Sequence, residues 1–255
     1  MGKLSKLPPM KAPGTLQFVT MGETIDRGIT GIIYSDPGVG KTTTASTLPV
    51  GETLFIMAEA GYGPLLGTGH IVFNLNTDLG QLEDLYKFLR TQPHPFKNVV
   101  LDNISEMESW FVTTLTQGRQ KDFAEISEYG NAAYKLREYL LLFRDLADVR
   151  KMNVIFNAWE MSMEIKNTAG EVITKTYPKL FKKLAPEICG IVDFVAHLEC
   201  YDKTGDRWMR MHPQKNLVAK CQFKGIDAEE PANLPSLFAK IRAFDYAPAE
   251  VASGE

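Results

Sequence analysis

The stretch Gly31–Pro49, GIIYSDPGVGKTTTASTLP, restricts this chain more than any other part of it. An apolar run stops at a Gly/Pro-rich bend, and a lysine with three threonines follows. The apolar run predicts a buried strand, and the segment from about Lys41 predicts a helix. The bend approximates the spacing G-x-x-x-x-G-K-[ST] as Ser35-Asp36-Pro37-Gly38-Val39-Gly40-Lys41-Thr42, with serine in place of the first glycine. Turning backbone N–H groups inward around an anion needs conformations that Gly38 and Gly40 allow. A helix N-terminus beneath the loop favours negative charge. Lys41 would reach the β- and γ-phosphates of a nucleotide, and the Thr42 hydroxyl would bind magnesium. The candidate phosphate-binding set is therefore Asp36, Pro37, Gly38, Val39, Gly40, Lys41, Thr42 and Thr43.

The rest of the chain alternates short apolar runs with amphipathic ones. TLQFVTM (Thr15–Met21) reads as a peripheral strand. Thr53–Ala58, His70–Leu75 and Asn98–Asp102 read as further strands. A helix starts near Asp78 with Leu79, Leu82, Leu85, Tyr86 and Leu89 on one face. Another carries Ile104, Met107, Phe111 and Leu115. From about Ser127 to Arg150, Tyr129, Ala133, Leu136, Leu140, Phe143 and Ala147 recur at steps of four and three. Asn153–Trp159 returns as a strand. MEIKNTAGEVITKTY predicts a hairpin turning at Asn167–Gly170. KLFKKLAPEICG predicts a short helix and IVDFVAHLEC a strand. RWMRMH and NLVAKCQF are expected to pair with each other, and NLPSLFAKIRAF is expected to close the chain as a helix. This is the pattern of a mainly parallel sheet covered on both faces, with antiparallel strands added late. The expected organisation is an arm over 1–14, one core over 15–245 and a tail over 246–255.

Phosphate binding alone is not hydrolysis, which needs a carboxylate near the metal and a group that positions water. NVVLDNISEM delivers Asp102 to the end of a buried strand, the rim where open α/β sheets bind ligands. Asp102 would hold magnesium, cap the helix starting near Ile104, or do both. Glu59 directly follows the second strand on the same rim. It reads either as a general base for the attacking water or as a solvated loop residue.

With 255 residues, 44% hydrophobic and 23% charged, the chain can bury a real core. No apolar run approaches the roughly 20 residues of a membrane helix. The N-terminal MGKLSKLPPMKAPG has no apolar centre, so neither a secretory signal nor a membrane is expected and the location reads as cytoplasmic. Cys189, Cys200 and Cys221 read as buried free thiols, and the four scattered histidines do not suggest zinc. The net charge of -3 means that any nucleic-acid contact must come from a local basic strip.

These segments resemble a known family. LFIMAEAGYGPL and NVVLDNISEM are similar to the catalytic-glutamate segment and the metal-side acidic strand of RecA-like recombinases. The span from about Thr15 to Phe223 resembles the phage-encoded RecA-core P-loop ATPases, especially the Sak group of single-strand annealing or recombination proteins. EYGNAAYKL, NVIFNAWE and YPKLFKKLAPEICGIVDFVAHLE look like further blocks of that group. The resemblance implies a RecA-like fold that binds ATP and Mg2+. It gives Lys41 and Glu59 catalytic roles and makes Thr42 and Asp102 the metal-side pair. Implied partners are single-stranded DNA, further copies of the chain in a ring or filament, and a single-strand-binding protein. Where the family often carries a polar sensor, this chain has Trp159. Asn157 or Glu160 could substitute, with Trp159 packing in the core.

The segment Met161–Lys183 occupies the place of a DNA-contacting loop in RecA-like proteins. Its Lys175, Lys179, Lys182 and Lys183 suit a phosphate backbone, and Tyr177 or Phe181 could stack on bases. The same residues also read as a solvated face with Phe181 in the core. Lys215 and Lys220 lie where RecA-like filaments supply cations to a neighbour's ATP site, or are surface charge. A kinase reading lacks an arginine-rich lid segment, and a GTPase reading lacks N-K-x-D. The alternative to a DNA-acting ATPase is a nucleotide-gated loader or regulator of a replication protein.

Overall fold

The computed structural model describes residues 25–75, 78–116, 126–166, 170–201 and 204–244. The arm 1–14, the strand expected at Thr15–Met21 and the tail 246–255 lie outside them.

The strand β1 (Thr30–Ser35) is buried along its whole length and runs parallel to β5 (Asn153–Lys166) on one side and β7 (Phe194–Cys200) on the other. Beyond β5 the parallel order continues through β4 (Asn98–Asp102), β2 (Thr53–Met57) and β3 (Ile71–Asn74). The central strands read as continuous apolar runs because helices cover both faces. Ile32, Tyr34, Leu54, Ile56, Val99, Leu101, Val154 and Phe156 share one core with four helices. These are α2 (Leu79–Thr91), α3 (Ile104–Thr116), α4 (Ile126–Val149) and α5 (Leu184–Ile191). The alternate residues Ile33, Phe55, Val100 and Ile155 point to the opposite face, where α1 (Lys41–Ala45) packs on β1 and β5. Because these strands are parallel, their carboxyl ends share one rim. Toward that rim Asp102 lies beside Asn157, and Ser35 lies beside Trp159 two residues further along β5.

The hairpin is present. β5 does not stop at Trp159 but continues to Lys166, pairing antiparallel with β6 (Val172–Pro178) from Glu160↔Pro178 to Lys166↔Val172. Its first half is buried and its second half largely outside the core. The turn residues 167–169 lie outside the described residues.

Other expectations are corrected. RWMRMH and NLVAKCQF do not pair with each other. β8 (Arg207–Arg210) lies between β7 and β10 (Glu229–Pro231), and β9 (Lys220–Cys221) pairs with the start of β7. The chain before β9 is drawn away from β8. Val218 N donates to Thr176 O, and the buried Leu217 joins the core. In α4 the buried stripe is Ala132, Leu136, Leu140, Phe143, Leu146 and Ala147, while Tyr129 is 46% exposed. A 3.6-residue period moves the stripe off Ala133 within one turn. Cys189 is buried, but Cys200 is exposed and Cys221 intermediate. The closing helix forms as α6 (Leu234–Ala243). No helix among the described residues is long and apolar enough to cross a membrane.

Candidate nucleotide site

β1 ends at Ser35, the loop follows, and α1 begins at Lys41. Gly38 and Gly40 have φ of 83° and 113°, conformations that L side chains rarely adopt. α1 is a short helix of 5 residues, so the loop's geometry depends on local bonds more than on a long helix dipole. Thr44 contributes both its N–H (2.8 Å) and its hydroxyl (3.0 Å) to Gly40 O.

Lys41 is only 7% exposed. Its ammonium donates to Ser35 O (3.0 Å), Ser35 Oγ (3.3 Å) and Asp36 O (2.9 Å). The serine that replaces the first glycine of the motif therefore adds an acceptor for the lysine. Burial pushes the Lys41 pKa down, and Asp102, Glu59, Glu160 and Asp36 oppose that push.

Thr42 Oγ1 donates to Asp102 Oδ2 at 2.6 Å. Asp102 is 2% exposed. Burial raises its pKa, against the Thr42 hydrogen bond, Asn157 and Lys41. Asp102 does not cap α3. Asn103 does so, with Oδ1 accepting from Glu106 N at 2.8 Å. The Asn103 Nδ2 donates to Glu59 Oε1 at 2.9 Å. Glu59 is thus held at the cleft and is not a loose loop residue. Burial raises its pKa, the Asn103 bond opposes this, and Asp102 and Glu106 add to it.

Asn157, paired in register with Asp102, is fully buried, and neither side-chain polar atom has a hydrogen-bond partner among the described residues. Its amide is still close enough to favour the Asp102 charge. Trp159 is not core packing. It is half-buried and lines the same cleft as Lys41, Thr42, Glu59, Asp102 and Arg207, a volume of about 310 Å3. A larger hollow of about 420 Å3 lies beside it, lined by Asp36, Glu160 and Glu199 among others. Among the described residues that lining has no lysine or arginine to offset its acids, whereas the smaller cleft sets Lys41 and Arg207 against Glu59 and Asp102, so the smaller cleft is the better candidate site.

The donor set fits magnesium. Thr42 offers a hydroxyl and Asp102 a carboxylate, both hard oxygen ligands, and the orphaned Asn157 amide lies next to them. Among the described residues no three His, Cys, Asp or Glu side chains form a cage of their own. A cation here would need phosphate oxygens to complete its shell, which is how Mg2+ is commonly bound.

The basic candidates separate. Lys175 is half-buried on β6, and Lys182 and Lys183 are exposed before α5. Lys179 lies over the Trp159 ring, 4.8 Å from its centroid. Lys215 is exposed in a turn. Lys220, expected to serve a neighbour, is instead engaged within its own chain. Its ammonium donates to Cys189 O, Gly190 O and Val192 O, at the end of α5. It also sits beside Val195 at the start of β7, on the rim away from the loop.

Sequence reasoning missed three residues. Asn103 had a signal, since N-I-S-E has capping-box spacing. Ser105 and Arg207 had none. The Ser105 hydroxyl accepts from Trp159 N (3.0 Å) and donates to Lys179 O (2.7 Å), tying α3 to β5 and the lysine-bearing loop. Glu108 on α3 adds a second tie by accepting from Phe181 N. Burial pushes the Glu108 carboxyl up to about 7 from its ordinary 4.5, against the Phe181 N–H and Lys179. The folded chain therefore binds this proton more tightly than the unfolded chain, and stability falls as pH rises from about 4.5 to 7. Urea unfolding at pH 5 and pH 7.5 is expected to show that loss shrinking by about 1–3 kcal/mol in Glu108→Gln. An unchanged pH dependence would show that Glu108 does not carry it.

Residues 27–223 match a family model described as an AAA domain. Among solved structures, the crystal structure of the RadB recombinase is similar, at 15% identity and a TM-score of 0.46. That match covers 73% of this chain and 82% of that one. No curated protein sequence matches the chain.

Proposed function

The chain belongs to the AAA-domain family, and from that premise we propose that it is a magnesium-dependent ATPase that acts on single-stranded DNA. The observation that carries the reading is the Thr42–Asp102 contact of 2.6 Å, in one cleft with Lys41 and Glu59. A hydroxyl and a carboxylate meet beside a buried ammonium, and a second carboxylate stands within the same volume.

In this mechanism the loop amides and Lys41 hold the phosphate chain and offset its charge. Thr42 and Asp102 would hold Mg2+, which when bound neutralises charge on the bridging and terminal phosphate oxygens. Glu59, oriented by Asn103, takes a proton from water as the water oxygen bonds to the terminal phosphorus. The bond from that phosphorus to the ADP oxygen breaks, and the electron pair leaves with ADP.

Lys179, Lys182 and Lys183 would contact DNA phosphates, and Lys175 would add to them from the hairpin. Support comes from the Ser105 and Glu108 ties, which join this loop to the helix beginning two residues after Asp102. ATP binding would thereby bias both the loop and an interface between copies in a ring or filament. Single-strand annealing or recombination in a phage, with a single-strand-binding protein as partner, is the setting the resemblance implies.

A second reading, a nucleotide-gated loader with little DNA affinity, is favoured by one observation. Of the four lysines, Lys175 is half-buried and Lys179 covers Trp159. ATP turnover with and without single-stranded DNA, and DNA affinity against salt, separate the two. Four phosphate contacts give a log–log salt slope of about −2.8, and two give about −1.4. The DNA-acting reading expects stimulated turnover and the steeper slope. Turnover indifferent to DNA together with salt-insensitive binding rejects it in favour of the loader.

A further inference from the structure

Arg207 begins β8 and pairs across the sheet with Cys200 at the end of β7. Because β7 runs parallel to β1 with His197 beside Tyr34, Cys200 lies beyond the end of β1, at the level of the loop. The fold therefore carries an arginine from far along the chain onto the phosphate loop. Its Nε donates to Val39 O at 2.7 Å. A Cβ added to Gly40 would come within 2.2 Å of that same Nε. Gly40 is thus required twice, once for its backbone angle and once to let the guanidinium approach.

The strand that presents Arg207 is held firmly. Arg210, three residues on, makes a two-pronged bond to Glu199 (2.9 and 2.8 Å) and a third to Glu229 (2.8 Å). Ala232 N donates to Arg207 O at 3.0 Å. The two arginines contrast sharply. Arg210 is matched by carboxylates, whereas Arg207 has no carboxylate partner among the described residues, and its terminal amino groups have no hydrogen-bond acceptor there. The terminal amino groups of this half-buried guanidinium face the open cleft that Lys41, Thr42 and Asp102 line, where a planar fork is free to meet an anion. Its Nε bond leaves both terminal amino groups available for oxygen acceptors, the geometry that suits phosphate.

We propose that Arg207 is a phosphate-binding residue of the nucleotide site, acting within its own chain. The proposal rests on reading this cleft as the ATP site. Arg207 contacts phosphate oxygens at the loop and stabilises the charge that develops there as the terminal phosphate is transferred to water. The site then carries two cations from one chain, Lys41 and Arg207, facing Asp102 and Glu59.

The test uses the full chain and its Arg207→Ala and Arg207→Gln variants. Thermal melting is measured first, then ATP turnover, and then calorimetric binding of ATP, inorganic tripolyphosphate and adenosine. The expected result is a turnover loss of at least about 100-fold. ATP and tripolyphosphate should bind about tenfold more weakly while adenosine binding is unchanged. Millimolar guanidinium should restore part of the turnover of Arg207→Ala, which a merely structural role would not permit. If Arg207→Ala melts early, Arg207→Gln, which keeps the length and polarity without the charge, decides the matter. Wild-type turnover and tripolyphosphate affinity in a folded variant would overturn the proposal while leaving the ATPase reading intact. A loss of adenosine affinity equal to that of tripolyphosphate would overturn it in favour of base contact. A wild-type chain that binds neither ATP nor tripolyphosphate would remove the ATP site itself, and this proposal with it.

Discussion

Replacing Lys41 with alanine is expected to lower ATP turnover by at least about 1,000-fold, with a melting temperature within a few degrees of wild type. Lys41 is 7% exposed, and all three of its hydrogen-bond partners are neutral oxygens of Ser35 and Asp36. The desolvation of its ammonium is therefore opposed only by more distant carboxylates, Asp102 and Glu59 foremost. Removing the charge relieves a burial cost while losing a few bonds to loop carbonyls, so fold stability should change little. Binding should change much more. A phosphate chain entering beside Asp102 and Glu59 would meet two carboxylates without the buried cation that offsets them. ATP affinity should drop about 10- to 100-fold, and the remaining bound nucleotide should turn over slowly. Turnover in the presence of magnesium and nucleotide titrations on purified protein give the two readouts. Unchanged turnover in a folded variant would remove the loop as the site of chemistry.

How far the sequence led depends on what kind of signal each element leaves. β1 and β4 were legible because a strand buried on both faces reads as an apolar run, and each ends in residues of distinct chemistry. The convergence of Ser35, Asp102 and Asn157 on one rim follows from parallel pairing alone. The late strands were not legible. β9 has 2 residues and β10 has 3, too few for local alternation to show, and the bond from Val218 N to Thr176 O draws the chain before β9 away from β8. Arg207 lies 168 residues from the carbonyl it touches, so no spacing rule could connect them. Trp159 was misplaced for a related reason. A tryptophan at a strand end is read as core, but β5 carries it past the buried layer to the cleft, where Ser105 receives its N–H and Lys179 covers its ring. Asn103 shows a different failure. The cap was visible in its spacing to Glu106, but the adjacent aspartate attracted both roles.

Glu59→Gln is expected to separate binding from chemistry. Glu59 differs from two other carboxylates at this rim of the sheet, which are engaged. Asp102 accepts from the Thr42 hydroxyl at 2.6 Å, and Glu160 meets His197 Nε2 at 2.8 Å. Glu59 accepts only from Asn103, through Oε1, so Oε2 has no partner among the described residues. Its pKa is raised by burial and by Asp102, which makes it a stronger base than a solvated glutamate would be. Glutamine keeps an oxygen to accept the Asn103 amide, so the side chain should hold its position while losing the capacity to take a proton. ATP affinity should stay within a few-fold of wild type, and could only gain from the loss of a negative charge near phosphate. The rate constant for turnover should fall about 100- to 10,000-fold, the range a positioned general base contributes. Single-turnover measurement with saturating ATP isolates that rate from product release. Aspartate at position 59 is one methylene shorter and should recover little, because reach decides proton transfer as much as basicity does. Normal single-turnover rates in Glu59→Gln would assign proton removal to another group at the rim, and an equal loss of ATP affinity would show that Glu59 serves binding instead.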